Sequence, residues 1–128
     1  MGAELLIADD DPVVRHLLGA ILRGAGYQVA TTESGTETIS LLQERAAAGS
    51  LPSLVLLDLQ LVDMAGTEVL AKAREIASEP RLPVVLLSAN KKEEILRDHP
   101  AASDADGFLE KPFPPDTVLS LIEELLAR

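Results

Sequence analysis

"ELLIADDDPVVRHLL", Glu4 to Leu18, is the stretch on which the fold turns. Leu5 to Ala8 are apolar on both faces of an extended chain, and the run stops at three consecutive carboxylates, Asp9, Asp10 and Asp11. A strand apolar on both faces belongs in the middle of a parallel sheet covered by helices on each side. A helix opens immediately afterwards. Asp11 is placed to cap it, Pro12 suits the first helical position, and Val14, Leu17, Leu18, Ile21, Leu22 and Ala25 recur at spacings of three and four.

The same strand-then-helix unit repeats along the chain. "LLIAD" (5–9), "LVLLD" (54–58) and "VVLLS" (84–88) are buried-strand runs that end in a polar residue, while "YQVATT" (27–32) alternates and suits a sheet edge. "GFLEK" (107–111) is a weaker fifth candidate. "SGTE" (34–37) carries the capping-box pattern and starts a second helix that runs through about Ala48, and "GSLPS" then makes the turn to the third strand. Val69, Ala73, Ile76 and Ala77 mark a third helix. Val118, Leu121, Ile122, Leu125 and Leu126 mark the last, after "PFPPD" and on to the C-terminus. The order (βα)5, with no long linker or repeat, predicts one α/β domain over residues 1–128, a doubly wound five-stranded parallel sheet.

Composition narrows the function. The 128 residues carry 21 acidic and 11 basic side chains, a net charge of −10, which disfavours nonspecific contact with nucleic acid or an anionic membrane and favours cations and basic surfaces. No cysteine is present, which removes disulfides and thiolate metal sites and fits a reducing compartment. The apolar runs fall far short of the roughly 20 residues of a spanning helix. No basic region followed by an apolar one opens the chain, so the expected location is cytoplasmic.

In open parallel sheets ligands bind at the carboxyl ends of the strands. Asp9 and Asp10 end strand one, Asp58 ends strand three, Ser88 ends strand four and Lys111 follows strand five. If strands one and three are neighbours, three carboxylates converge and cannot all stay ionised cheaply without a cation. Oxygen donors without His or Cys select a hard divalent ion, Mg²⁺ above all. Asp11 reads as the helix cap; Asp9 and Asp10 cannot both serve there and read as metal-site residues.

Together with "LLDLQLVDMAG" (56–66), "LLSA" (86–89) and "EKPF" (110–113), the acidic pair after strand one makes the whole chain resemble a response-regulator receiver domain, the phosphoacceptor half of two-component signalling. The resemblance implies a flavodoxin-like sheet in strand order 2-1-3-4-5. By it, Asp58 is the phosphoacceptor, Asp10 a direct Mg²⁺ ligand, Asp9 a ligand mostly through water, and the Gln60 backbone carbonyl the remaining protein ligand. Ser88 is implied as the switch hydroxyl, Lys111 as the lysine that meets the phosphoryl group, and Phe108 as the aromatic whose rotamer follows activation. Pro112 would follow a cis bond. The implied partner is a sensor histidine kinase or a histidine phosphotransferase, without direct nucleic-acid or membrane contact. The protein would turn over only its own aspartyl phosphate rather than act as an enzyme on others.

The chemistry is intelligible from the groups themselves. A carboxylate oxygen attacks the phosphorus of a phosphohistidine, and a cation and Lys111 stabilise the charge on the phosphoryl oxygens while the Ser88 hydroxyl bonds one of them. Two departures from the family pattern bear on the loop after Asp58. Val62 stands in place of the usual proline and Ala65 in place of an acid before Gly66, which predicts a more flexible loop. Gln60 and Asn90 occupy the two positions by which the family tunes acyl-phosphate lifetime. His16 and His99 read as surface residues.

Two other classes fit the sequence less well. A Mg²⁺-dependent phosphohydrolase with an aspartate nucleophile wants a second acid two residues on, where Gln60 stands. A phosphorylation-independent interaction module usually lacks one of the acids or the lysine, and all are present. The span 1–128 holds no output domain, as in a single-domain regulator, a relay receiver or a piece of a larger regulator. "SANKKEEILRDHPAASDADGF" (88–108) is the least regular part: Pro100 should end the fourth helix near Asp98, and the "AASDAD" that follows has little to bury. The expectation there is a loosely held segment and a protein that is monomeric or weakly dimeric.

Overall fold

The structure, a computed structural model, describes residues 2–128. Strands β1 Glu4–Ala8, β2 Gln28–Thr32, β3 Leu54–Asp58, β4 Val84–Ser88 and β5 Gly107–Glu110 alternate with helices α1 Pro12–Gly24, α2 Gly35–Ala48, α3 Gly66–Ile76, α4 Lys92–Asp98 and α5 Pro115–Leu126. A 3₁₀ segment, Pro100–Asp104, lies between α4 and β5. The five strands pair in parallel, in the order β2-β1-β3-β4-β5 that the resemblance implies.

Strand pleat divides the core into two. Leu5, Ile7, Leu54, Leu56, Val85 and Leu87 face α1 and α5, which contribute Leu18, Leu22, Val118 and Ile122. Their neighbours Leu6, Val55, Leu57, Val84 and Leu86 face the other way, onto Leu42, Val69, Leu70 and Ile95. β3 and β4 are buried at every position, as their unbroken apolar runs require. Each such side chain contributes about 1.5–3 kcal/mol by leaving water. The alternating strand β2 lies at an edge.

The helix starts follow the expected chemistry. Asp11 Oδ1 accepts the Val13 amide at 2.9 Å with Pro12 in the first turn, and Ser34 Oγ accepts the Glu37 amide at 3.1 Å. The Glu37 carboxylate reaches back to the Glu33 amide. Gly49, at φ 70°, closes α2 in the left-handed conformation that glycine adopts freely. Leu17, part of the apolar period of α1, is instead 55% exposed, because the sheet takes up Leu18 and Leu22 and leaves that flank uncovered.

The fourth helix ends at Asp98, as Pro100 dictates, but the segment beyond it is not loose. Ala102 is fully buried and joins the core cluster of α3 and β4. Arg74, from the last turn of α3, binds the Leu82 carbonyl, the Asp104 carbonyl at 2.8 Å and the Asp106 carboxylate at 2.8 Å. Arg81 bonds the other Asp106 oxygen at 2.9 Å and the Asp104 carbonyl at 2.7 Å, and Asp106 also accepts the Val84 amide. The small alanines that seemed to offer nothing let the turn sink against α3, where two guanidinium groups hold it. A weak dimer argued from looseness loses that support.

Candidate functional site

The sheet order reverses between β1 and β3, and the crevice at their carboxyl ends holds the acids. One carboxylate oxygen from each of Asp9, Asp10 and Asp58 lies within 4.8 Å of the others, so the three could hold a metal ion. Asp9 is fully buried and Asp58 nearly so, whereas Asp10 is exposed.

Each side chain is held by identifiable contacts. Asp9 Oδ1 accepts the Asp11 amide at 2.9 Å and Oδ2 accepts Lys111 Nζ at 3.0 Å. Lys111 Nζ is also 3.5 Å from Asp58 Oδ2, and Asp58 Oδ1 accepts the Gln60 amide at 3.2 Å. The Lys111–Pro112 bond is cis, as the resemblance implies. Ser88 is buried at the end of β4, and its Oγ accepts the Asn90 amide at 3.0 Å. Phe108 lies on β5, opposite Leu86, half-buried beneath the Lys92 ammonium, which sits 5.4 Å from the ring centre.

Electrostatics set the site apart. Burial pushes the Asp58 carboxyl up to about 6; the Gln60 amide and Lys111 oppose that shift, and the charge of Asp9 adds to it. Burial works to lower the Lys111 ammonium, but the bond to Asp9 and the charge of Asp58 outweigh it and hold the group above its ordinary value. Three carboxylates against one ammonium leave a deficit of positive charge. An all-oxygen donor set with that deficit fits a hard divalent cation.

The loop after Asp58 is fastened rather than flexible. Gln60 and Ala65 form an isolated antiparallel bridge whose bonds run through Leu59, Leu61, Met64 and Gly66 rather than through the Gln60 carbonyl. A Cβ on Gly66 would stand 2.4 Å from the Asp58 carbonyl oxygen, so only glycine admits this approach. Asp63 crosses to the start of α2, where it accepts the Gly35 amide at 2.7 Å, the Thr36 amide at 3.0 Å and the Thr36 hydroxyl at 2.6 Å. These bonds make up for the missing proline and acid at positions 62 and 65.

Three residues near the site escape a sequence reading. Arg15, one turn into α1, donates to the Asp9 carbonyl at 2.7 Å and to Glu33 at 3.1 Å, bracing the first acidic turn against the β2–α2 loop. Its position beside the helix cap is the one available signal. Asp63 is the second. The third is His99, which is not a plain surface residue: it is half-buried and lines a cleft of about 240 Å³ together with Asp58, Gln60, Ser88, Asn90 and Lys111. His16 is exposed, as expected.

Residues 5–123 match the family model for the response regulator receiver domain, and the chain belongs to that family. It is 36% identical over 127 residues to response regulator Rre1 of Synechocystis, covering 98% of this chain and 52% of that protein. With the transcriptional regulatory protein SrrA of Staphylococcus aureus the identity is 34% over 128 residues, covering 100% of this chain and 49% of SrrA. The chain thus spans about half the length of these curated relatives. Among solved structures it resembles response regulator TrrA of Thermotoga maritima in complex with Mg²⁺–BeF, with a TM-score of 0.79 and 28% identity over 98% of this chain and 99% of that one. It is a receiver domain of two-component signalling. Among the described residues no helix is long and apolar enough to cross a membrane.

Proposed function

We propose that Asp58 accepts a phosphoryl group from a phosphohistidine on a sensor histidine kinase or histidine phosphotransferase, in a reaction that requires Mg²⁺. The observation that carries this reading is the convergence of Asp9, Asp10 and Asp58 at the switch point of the sheet, with the Lys111 ammonium paired to Asp9 and Asp58.

An ionised Asp58 oxygen attacks phosphorus as the bond from phosphorus to the donor nitrogen breaks, and the imidazole leaves with that electron pair. Lys111, 3.5 Å from Asp58 Oδ2, is placed to pair with an oxygen of the incoming group. Ser88, facing the same cleft, can donate its hydroxyl proton to another. Asp10 and Asp58 would hold Mg²⁺ directly, Asp9 through water and Gln60 through its carbonyl, and the ion supplies positive charge against the phosphoryl oxygens. Ser88 moving toward a phosphoryl group frees space beside Phe108 on the adjacent strand, which carries the change to the face made by α4, β5 and α5. The domain turns over only the phosphate that it carries.

The donor's docking surface is apolar. Val13 and Leu17 are exposed on α1 and, with Pro112 and Phe113, line a hollow of about 340 Å³ that reaches Lys111. A protein donor covers these side chains, whereas a small phosphodonor has no need of them.

Intact mass after incubation with acetyl phosphate and Mg²⁺ tests the reading. One phosphoryl group is expected on the parent, none on Asp58→Asn and none in EDTA. Undiminished phosphorylation of the variant would refute the assignment.

A further inference from the structure

Pro100 stops α4 after seven residues, and the chain turns at His99 with φ −134° and ψ 77°. The turn brings His99 to the wall of the cleft that contains Asp58. The cleft is graded. Asp58 and Ser88 lie buried in it, while the exposed Gln60 and Asn90 and the half-buried His99 border it on the solvent side.

A phosphoryl group on Asp58 would fill the inner part, and water that attacks it must come from the side where those three residues stand. Gln60 and Asn90 carry neutral amides, which orient a water but do not take its proton. Imidazole alone among common side chains exchanges a proton readily near neutral pH. The acids within reach are already engaged: Asp9 bonds the Asp11 amide and Lys111, Asp10 would hold the metal ion, and Asp58 itself would carry the phosphate.

We propose that His99 positions the water that hydrolyses the Asp58 phosphoryl group and thereby sets how long the phosphorylated state lasts. The inference rests on Asp58 being the acceptor. In the step, the water oxygen forms a bond to phosphorus while the bond from phosphorus to the Asp58 oxygen breaks. The carboxylate leaves with the electron pair, the water's proton passes to the imidazole, and inorganic phosphate departs. The hydrogen bond from the His99 amide to the Ile95 carbonyl is a backbone bond, so replacing the side chain leaves the helix end intact.

The test loads the parent, His99→Ala and His99→Gln with acetyl phosphate and Mg²⁺, removes the donor, and follows decay of the phosphoprotein by intact mass with and without added imidazole. Loading to at least the parent's extent in both variants, a decay at least about tenfold slower in both, and recovery of the parent rate by imidazole in His99→Ala alone are expected for a positioned proton acceptor. Decay at the parent rate overturns the proposal, as does faster decay, which would make His99 a shield. Slow decay that imidazole leaves unchanged also overturns it, because that pattern belongs to a distorted cleft. If the parent itself takes up no phosphate, the reading of Asp58 fails, and that outcome is separate from all of these.

Discussion

Two aspartate clusters sit at opposite ends of the same sheet, built from the same kinds of groups and left in opposite states. At the carboxyl end Asp9, Asp10 and Asp58 face one lysine. At the amino end of β4 and β5, Asp104 and Asp106 face Arg74 and Arg81, two charges against two. Burial alone would raise the Asp106 carboxyl, yet the Val84 amide and both guanidinium groups hold it below the usual carboxylate range. Asp58 is held above that range. The number of donors offered to each carboxylate, more than its depth, decides whether it serves as a fastener or remains reactive.

The largest effect should come from unbalancing the satisfied end. Asp106→Ala removes the acceptor of the Val84 amide and of two guanidinium groups, and leaves Arg74, 13% exposed, with the more distant and more exposed Asp104 carboxylate at 3.4 Å in place of its close partner. A loss on the order of 3 kcal/mol is expected in urea unfolding at neutral pH. The loss should be accompanied by fast hydrogen exchange over 100–106, where the parent is expected to be protected by the bonds that hold the segment. A loss under about 1 kcal/mol would put this network in the class of surface pairs and break the comparison.

The reactive end should respond with the opposite sign. Because the folded protein raises the Asp58 carboxyl to about 6, the folded state binds a proton more tightly there than the unfolded chain does. That contribution is fully present below the unfolded value near 4 and is lost as pH rises through about 6. In EDTA at pH 8, Asp58→Asn should therefore be more stable than the parent by about 2 kcal/mol, and the gain should disappear by pH 4. Mg²⁺ should raise the parent's Tm at pH 8 and the variant's by less. A variant less stable than the parent at pH 8 would mean that Lys111 already neutralises the site.

These two ends were not equally legible. Strand ends in a doubly wound fold fall at predictable places in the sequence, so Asp9, Asp10, Asp58, Ser88 and Lys111 could be picked out from apolar runs that stop at polar residues. Helix boundaries followed from caps and from Pro100 for the same local reason. The amino-end cluster was not legible, because it joins Arg74 and Arg81 to residues 23 to 32 positions away with no periodicity to mark them. "AASDAD" looked loose because small residues and acids are ordinary turn-formers, and only tertiary placement makes Ala102 core and Asp106 an anchor. His99 follows the same rule: its polarity indicates surface, while the helix break places it, half-buried, at the cleft.

Asp63 separates donor count from burial altogether and gives the smallest of these effects. It is exposed and has no ion pair among the described residues, yet three donors from Gly35 and Thr36 hold its carboxyl at about 2. The Thr36 hydroxyl and amide contribute first and the Gly35 amide next. If donors govern these carboxylates, no neighbouring cation is needed, and the shift should survive high salt, which screens exposed charge pairs but not short hydrogen bonds. The sign follows from the lowered value: the stabilisation is present above the unfolded value near 4 and is lost as pH falls through about 2. An NMR titration of the Gly35 and Thr36 amides in 0.5 M salt should show a shared midpoint near 2, and Asp63→Asn should abolish it with little change in overall unfolding. A midpoint near 4 would mean that the cap is open in solution, and the loop after Asp58 would then have the freedom that Val62 and Ala65 suggest.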